Sequence, residues 1–218
     1  MKTTFKFALI STLFGIIALA VGADHPVASV SADAALAKLK EGNARFVSSK
    51  VSQGKPTAAR RAEIAQGQHP FAIILGCADS RTSPEIIFDQ NIGDIFVDRN
   101  AGNLVDDHTL GTIEYGVEHL GVRLIVVLGH ERCGAVQAAV ASDTAPGHIQ
   151  SLVRDIQPAV QAVKGKPGDT VHLAVAENAR LMAEEIRSKA NFGDLAKDVK
   201  IIPAVYDLDS GKVDFGKE

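Results

Sequence analysis

The sequence predicts an α/β fold in which a mostly parallel central sheet of four to five strands is flanked by helices. Two unbroken aliphatic runs, residues 71–75 and 124–128, are each followed by glycine, and such runs are typical of parallel strands buried on both faces. Segments with apolar residues at helical spacing lie between and after these runs, as the crossovers of a parallel sheet require. The 218 residues, 46% hydrophobic and 22% charged, favour one domain with an ample core and argue against intrinsic disorder.

Helices are predicted from apolar spacing and capping residues. Residues 31–49 form the first predicted helix, because Ser31 can cap it while Leu36, Leu39 and Phe46 mark an apolar face. The other predicted helices cover residues 58–65, 110–120 and 171–186.

Strands are predicted from short aliphatic runs bounded by turn residues. They cover residues 71–75, 95–97, 124–128, 201–206 and, after a turn at 209–212, a short terminal hairpin strand at 213–215. Pro203 places the fourth strand nearer to an edge of the sheet, because proline cannot donate to a central ladder.

The first 23 residues have the pattern of a secretory signal peptide. Lys2 and Lys6 precede an uncharged run at residues 7–21, and small residues follow at positions 21 and 23. The run is short for a membrane span, which needs about 20 residues, although an uncleaved anchor stays open. We therefore expect an exported protein, periplasmic or secreted, with no membrane contact after cleavage and one domain over residues 24–218.

The charge balance indicates no nucleic-acid-binding surface. Lysine and arginine number 23 against 26 aspartates and glutamates, a formal net charge of −3, so we expect no nucleic-acid partner. With only two cysteines, a small fold held by several disulfides is excluded.

Both cysteines follow predicted buried strands. Cys77 comes directly after the first aliphatic run, and His130 and Cys133 come after the other central run. Since the carboxyl ends of parallel strands meet at one edge of a sheet, these three side chains can point at one centre. Two thiolates and one imidazole suit Zn²⁺, and three protein ligands leave the fourth position of a catalytic site for water.

Other interpretations of the same residues stay open at this point. Two cysteines in an exported protein can form a disulfide, and Asp79 with Arg81 can be a structural ion pair. The remaining histidines have no partner at ligand spacing, and we expect surface or capping roles for them. They are His25, His69, His108, His119, His148 and His172.

The segments around these cysteines resemble the paired signatures of the β-class carbonic anhydrases. The first signature is Cys77-Ala-Asp-Ser-Arg81 and the second is His130-Glu-Arg-Cys133-Gly134. Residues 41–46, 96–104 and 114–120 are also similar to that family, so the resemblance covers almost all of the mature chain. It implies a β-carbonic anhydrase-like fold and a lyase that hydrates CO₂ reversibly to bicarbonate and a proton.

The resemblance also implies roles at matching positions. Cys77, His130 and Cys133 match the ligands of one Zn²⁺ per chain, which would lower the pKa of bound water from about 15.7 to about 7. Asp79 and Arg81 match the catalytic dyad, in which the carboxylate orients the zinc-bound hydroxide. The planar guanidinium, through two hydrogen bonds, keeps that carboxylate off the metal.

A second group of positions matches the residues that line the CO₂ pocket, partly from the neighbouring subunit. They are Gln68, Phe96, Ala101 and Tyr115. The backbone N–H of Gly134 matches the donor to bound substrate or product. The resemblance further implies a homodimer or tetramer in which the first helix packs on the partner subunit. We expect the apolar face of this helix to be buried against that partner.

One departure from part of the family concerns regulation. Some β-class enzymes bind bicarbonate at a second, non-catalytic pocket, which looks to be built from a Trp, an Arg and a Tyr. Arg99 and Tyr206 match two of these positions, but Ile74 stands at the tryptophan position and offers no N–H donor. We therefore expect an open site at neutral pH, with Asp79 paired to Arg81.

Two other functions remain compatible with the sequence. The same scaffold can serve a hydrolase of carbonyl sulfide or carbon disulfide, with identical metal ligands. A non-catalytic binding protein stabilised by zinc is the other alternative.

Overall fold

The computed structural model describes residues 29–52 and 56–217, and a five-stranded sheet lies at its centre. The strands are β1 (Ala72–Cys77), β2 (Ile95–Asn100), β3 (Leu124–His130), β4 (Lys200–Tyr206) and β5 (Val213–Phe215). Their order is β2-β1-β3-β4-β5, and all pairs are parallel except β4 with β5. The predicted fold class is thus confirmed. The predicted signal peptide lies outside the described residues.

Helices cover both faces of this sheet. They are α1 (Ala32–Val47), α2 (Ala58–Ile64), α3 (Pro84–Ile87), α4 (Asp107–Glu118), α5 (Gly134–Ala141), α6 (Ile149–Val163) and α7 (Thr170–Lys189), with a 3₁₀ helix at Gly193–Asp198. Alternate residues of the central strands enter two separate cores: Ile73 and Leu75 contribute to one, Ala72 and Ile74 to the other. This double burial explains why β1 and β3 are aliphatic without interruption. No helix of the described part of the chain is long and apolar enough to span a bilayer.

The central strands run further towards their carboxyl ends than the aliphatic runs predicted. β1 continues to Cys77, β2 to Asn100 and β3 to His130, because backbone pairing persists after the side chains turn polar. Polar and ligand-type residues are thereby part of the sheet edge itself. The strand β4 is second from an edge of the sheet, as Pro203 suggested. The edge strand β5 pairs only with the last three residues of β4.

The two longest helices that were not among the predicted elements are α5 and α6; the four-residue α3 and the 3₁₀ helix were not predicted either. The sequence of α5, GAVQAAVA, is small and apolar on all sides, so it lacks the alternation that marks an amphipathic helix. The helix α6 has Pro158 in its interior, a residue that normally argues for a helix boundary. Its burial of Val153, Ile156 and Val163 against the core outweighs that local preference.

The expectation that the apolar face of α1 needs cover from a partner is wrong for its central residue. Leu39 is completely buried within its own chain, in the core formed with Ile74 and Leu128. Leu36 and Phe46 are partly buried and pack against the same core. Ser31 caps the helix as predicted, accepting the Ala34 N–H at 3.3 Å.

The close seating of α1 depends on Gly42 and on the buried Asn43. Asn43 donates to the carbonyls of Ile87 and Gly211 at 3.2 and 2.8 Å and accepts the Val213 N–H at 2.9 Å. A Cβ at position 42 would lie 1.8 Å from the carbonyl oxygen of Phe88. The helix α1 can approach the end of α3 this closely only with glycine at that position.

We expect Gly42→Ala to lower the free energy of unfolding by about 3 kcal/mol or more, because a methyl group there overlaps fixed backbone. The measurement is urea unfolding followed by circular dichroism. Gly111→Ala is the matched control, since a Cβ at this α4 position meets nothing within 4 Å and alanine favours a helix by up to about 1 kcal/mol. Equal stability of the Gly42→Ala protein and the wild type would contradict this account of α1 packing.

Candidate metal centre

Three potential metal ligands meet at the carboxyl edge of the sheet. Cys77 ends β1, His130 ends β3, and Cys133 is the residue that precedes α5. Their ligand atoms all lie within 4.8 Å of one another, and all three residues are buried. The parallel pairing of β1 with β3 produces this meeting, as the sequence predicted.

The imidazole of His130 is oriented for coordination. Its Nδ1 lies 2.9 Å from the carbonyl oxygen of Glu131, and only a protonated Nδ1 can donate to that oxygen. In the neutral ring this leaves the lone pair on Nε2, which is buried and has no hydrogen-bond partner among the described residues. A backbone carbonyl that fixes the tautomer in this way is typical of metal-ligating histidines.

The two thiols are separate rather than bonded. Their sulfurs are 4.0 Å apart, about twice the length of a disulfide bond. A tetrahedral ion with zinc–sulfur distances of about 2.3 Å separates two sulfurs by about 3.8 Å. The spacing therefore fits two thiolate ligands of one ion.

The electrostatics of the thiol pair also favour a cation. The hydrogen bond from Cys133, helped by backbone donors such as the Gly102 N–H, lowers the pKa of Cys77 to about 4 despite its burial. The same pairing, together with burial, raises the pKa of Cys133 well above its usual range. Proximity and burial thus oppose the ionisation of both thiols at once, and a bound cation would stabilise both thiolates. The donor set fits zinc.

Asp79 is held beside the ligands by Arg81. The guanidinium Nε and Nη2 donate to the two carboxylate oxygens at 2.9 and 2.7 Å, and the Arg81 backbone N–H adds a third bond at 3.0 Å. These bonds, the side-chain ones most strongly, hold the pKa of Asp79 far below its usual range. Asp79 Oδ2 lies 3.8 Å from His130 Nε2, so a permanently ionised acceptor borders the ligand set.

The residues matched to the CO₂ pocket separate into two groups. Ala101 lies beside Gly102, whose N–H donates to Cys77 Sγ at 3.4 Å, and Gly134 directly follows Cys133 at the start of α5. These two border the three ligands.

Gln68, Phe96 and Tyr115 lie elsewhere in the same chain. Gln68 is exposed before the amino end of β1, opposite to the Cys77 end. Phe96 precedes Asn100, the β2 residue level with Cys77, by four positions, which is about 13 Å of strand. Its ring lies 6.2 Å from that of Tyr115, and Tyr115 is 47% exposed.

Comparison with known proteins agrees with this geometry. A family model described as carbonic anhydrase matches residues 72–213. The chain belongs to the carbonic anhydrase family. Carbonic anhydrase 2 of Mycobacterium tuberculosis (strain H37Rv) is 50% identical over 131 residues, which are 58% of this chain and 63% of that protein. The match therefore spans less than two thirds of that relative's length.

Two further relatives extend the comparison over most of the chain. The carbonic anhydrase of Mycolicibacterium smegmatis is 38% identical over 188 residues, covering 83% of this chain and 91% of that protein. The solved structure of the Coccomyxa β-carbonic anhydrase superimposes with a TM-score of 0.64 at 26% identity, covering 82% and 85% of the two chains. The fold is that of the β class.

The three positions matched to a bicarbonate pocket, Ile74, Arg99 and Tyr206, are occupied by packing and by backbone contacts in this member of the carbonic anhydrase family. Ile74 is fully buried in an aliphatic core, and Tyr206 is buried in the same core, where burial raises its pKa. Arg99 donates to the backbone carbonyls of Cys77 and Asp79. No local pattern predicts these two contacts, because they join residues 20 or more positions apart in the chain.

We expect one zinc per chain in the purified protein, and almost none after His130→Asn or Cys77→Ser, because two remaining donors bind the ion weakly. Metal content is measured by inductively coupled plasma mass spectrometry. His148→Asn is the control, since this exposed residue lies before α6 and is outside the ligand cluster. Recovery of active protein with Cys77 and Cys133 joined as a disulfide would refute the metal centre.

Proposed function

We propose that this protein is a carbonic anhydrase that catalyses reversible hydration of CO₂ to bicarbonate and a proton. The observation that carries the proposal is the buried Nε2 of His130, which has no hydrogen-bond partner within the described part of the chain and lies near two thiols and an arginine-bound carboxylate. Cys77, His130 and Cys133 would hold one Zn²⁺. When bound, the ion supplies water acidified enough to be a nucleophile near neutral pH.

Asp79 would orient the attacking oxygen. Its Oδ2 borders the ligand set at 3.8 Å from His130 Nε2, and an ionised carboxylate can only accept hydrogen bonds. A hydrogen bond to this oxygen would leave a lone pair of the nucleophile free for the carbon of CO₂. The two parallel bonds from Arg81 would keep the carboxylate from closing the site, because a bidentate pair fixes both oxygens.

The backbone N–H of Gly134 would donate a hydrogen bond to the bicarbonate product. Gly134 is the first residue of α5, and the first N–H groups of a helix have no intrahelical acceptor. Such donors stabilise negative charge at a helix amino terminus. Bicarbonate acquires that charge as the carbon–oxygen bond forms.

The decisive experiment is stopped-flow CO₂ hydration by purified protein of measured zinc content. Activity that increases in proportion to bound zinc is the expected result. Carbonyl sulfide and carbon disulfide are assayed in parallel, since enzymes for those substrates would share the ligands. Full zinc occupancy without CO₂ turnover would reject the proposal.

We expect Arg81→Ala to retain zinc but to lower kcat/KM for CO₂ by about 100-fold, the size typical of losing a positioned charged group. Without Arg81 the pKa of Asp79 rises towards its ordinary value, since that arginine is the main cause of the lowered one. In the wild type, Arg81 keeps Asp79 ionised. The wild-type pH–rate profile should therefore follow one ionisation, with no loss of activity from protonation of Asp79 above about pH 4.

The matched control is Arg154→Ala. Arg154 makes the same two-bond contact to a neighbouring carboxylate, that of Asp155, on the exposed side of α6. The Arg154→Ala substitution should leave kcat/KM for CO₂ and the pH–rate profile unchanged. A steep multi-proton pH profile in the wild type would contradict the open-site account.

The active form is proposed to be a homodimer or a pair of dimers. Phe96 and Tyr115 pack on each other at edge strand β2 and helix α4, away from the metal ligands of their own chain. Their partial exposure supports a role in the pocket of a second copy. Two β-carbonic anhydrases of Sordaria macrospora with the same fold are described as tetrameric (TM-score 0.61, 23% identity).

We expect Tyr115→Arg to shift the protein towards monomer and to lower CO₂ hydration without loss of zinc, because it puts a charge in the aromatic contact. Analytical ultracentrifugation at the assay concentration measures the shift. Ile149→Arg is the control, as Ile149 is an equally exposed apolar residue on α6. A fully active wild-type monomer would disprove the shared pocket.

Export to the periplasm, or secretion, is also proposed, on the charge and hydrophobic pattern of residues 1–23. Mass spectrometry of the protein from cell fractions tests it. The expected mature chain begins at Asp24 and is enriched outside the cytoplasm. An intact chain in the cytoplasmic fraction would contradict it.

A further inference from the structure

One arginine of β2 connects a metal ligand with the dyad carboxylate residue. The Nε of Arg99 donates to the carbonyl oxygen of Cys77 at 2.8 Å, and its Nη2 donates to the carbonyl oxygen of Asp79 at 2.7 Å. Both donors lie on one edge of the planar guanidinium. The distance between these two carbonyls is thus set by a rigid group.

No other side chain described can hold both carbonyls at once. The Thr82 hydroxyl lies 3.3 Å from the Cys77 oxygen and 2.9 Å from that of Asp79. A hydroxyl has a single hydrogen, so it serves one of these acceptors at a time. Arg99 supplies two donors simultaneously.

The backbone of β2 holds the rest of the same segment. The carbonyl of Asn100 accepts the Ala78 N–H at 3.0 Å, and the Gly102 N–H donates to Cys77 Sγ at 3.4 Å. Residues 77–79 are therefore held from one side by the carboxyl end of the neighbouring strand. Arg99 provides the only charged contacts of this set.

The charge of Arg99 is not neutralised by an ion pair. Among residues 29–52 and 56–217, no carboxylate oxygen is found within 4.0 Å of its guanidinium. Its hydrogen bonds to neutral carbonyls are charge-assisted and hence stronger than those of a neutral donor. Both side-chain contacts of Arg99 described above are thus made to the backbone of residues at the candidate metal centre.

We propose that Arg99 is a positioning residue of the metal centre, which fixes Cys77 and Asp79 relative to each other through their carbonyl oxygens. The inference rests on the proposed metal centre but not on CO₂ hydration. Outer-shell partners of this kind typically change metal affinity by 10- to 100-fold. Preorganised ligands bind tightly because less ordering is needed when the ion arrives.

The test compares Arg99→Met and Arg99→Lys with the wild type. Arg99→Met removes both donors, and we expect its zinc dissociation constant to rise by about 10- to 100-fold, measured by competition with a chromophoric chelator. Arg99→Lys keeps the charge but cannot present two parallel donors, so it should recover only a minor part of the affinity. In the cobalt-substituted proteins, the thiolate-to-cobalt charge-transfer band should shift for both variants.

Arg123→Met is the matched control. Arg123 likewise donates to two backbone carbonyls, those of Val117 and Val122, at 3.0 and 2.9 Å, but at the start of β3, away from the ligands. It should lower thermal stability about as much as Arg99→Met while leaving zinc affinity and the cobalt spectrum unchanged.

Three results would overturn the proposal. Wild-type zinc affinity in Arg99→Met would show that the two bonds are irrelevant to the metal. Wild-type affinity in Arg99→Lys would assign the effect to charge alone, and an equal loss in Arg123→Met would assign it to general destabilisation. The zinc measurement decides the positioning role whether or not the protein hydrates CO₂.

Discussion

The parallel pairing of β1 with β3 is the constraint on which the metal centre depends. Gly76 is level with Leu128 in this ladder, so the strands end together, one with Cys77 and the other with His130. A shift of one residue would turn every core side chain of β1 to the opposite face. The two aliphatic cores therefore fix the register, and the register brings a thiol and an imidazole together.

Once the ligands are together, a bound cation would favour the ionisation of both thiols. The two sulfurs are 4.0 Å apart in a buried site, and the pairing with Cys77, together with burial, raises the pKa of Cys133. The arginines near the site serve other groups: Arg81 binds the Asp79 carboxylate and Arg99 binds backbone carbonyls. A metal ion is the group that balances both thiolates, so metal binding and thiol ionisation are coupled.

Much of this could be predicted from the sequence because the signals are local. Continuous aliphatic runs identify β1 and β3, and Cys77, His130 and Cys133 follow them within a few residues. What could not be predicted depends on long-range packing. Leu39 is covered by its own sheet rather than by a partner, and the helical pattern of α1 is the same in either case.

Asp79 shows how local and long-range contacts divide one task. Its carboxylate is held by Arg81, two residues away in the same turn, and its carbonyl by Arg99, which comes from a neighbouring strand. Arg81 holds the carboxylate with its guanidinium and with its own backbone N–H. Arg99 also holds Cys77, so its release would disturb the metal ligand as well. The two arginines are therefore not interchangeable: Arg81 sets the direction of the carboxylate, and Arg99 sets the position of the backbone that carries it.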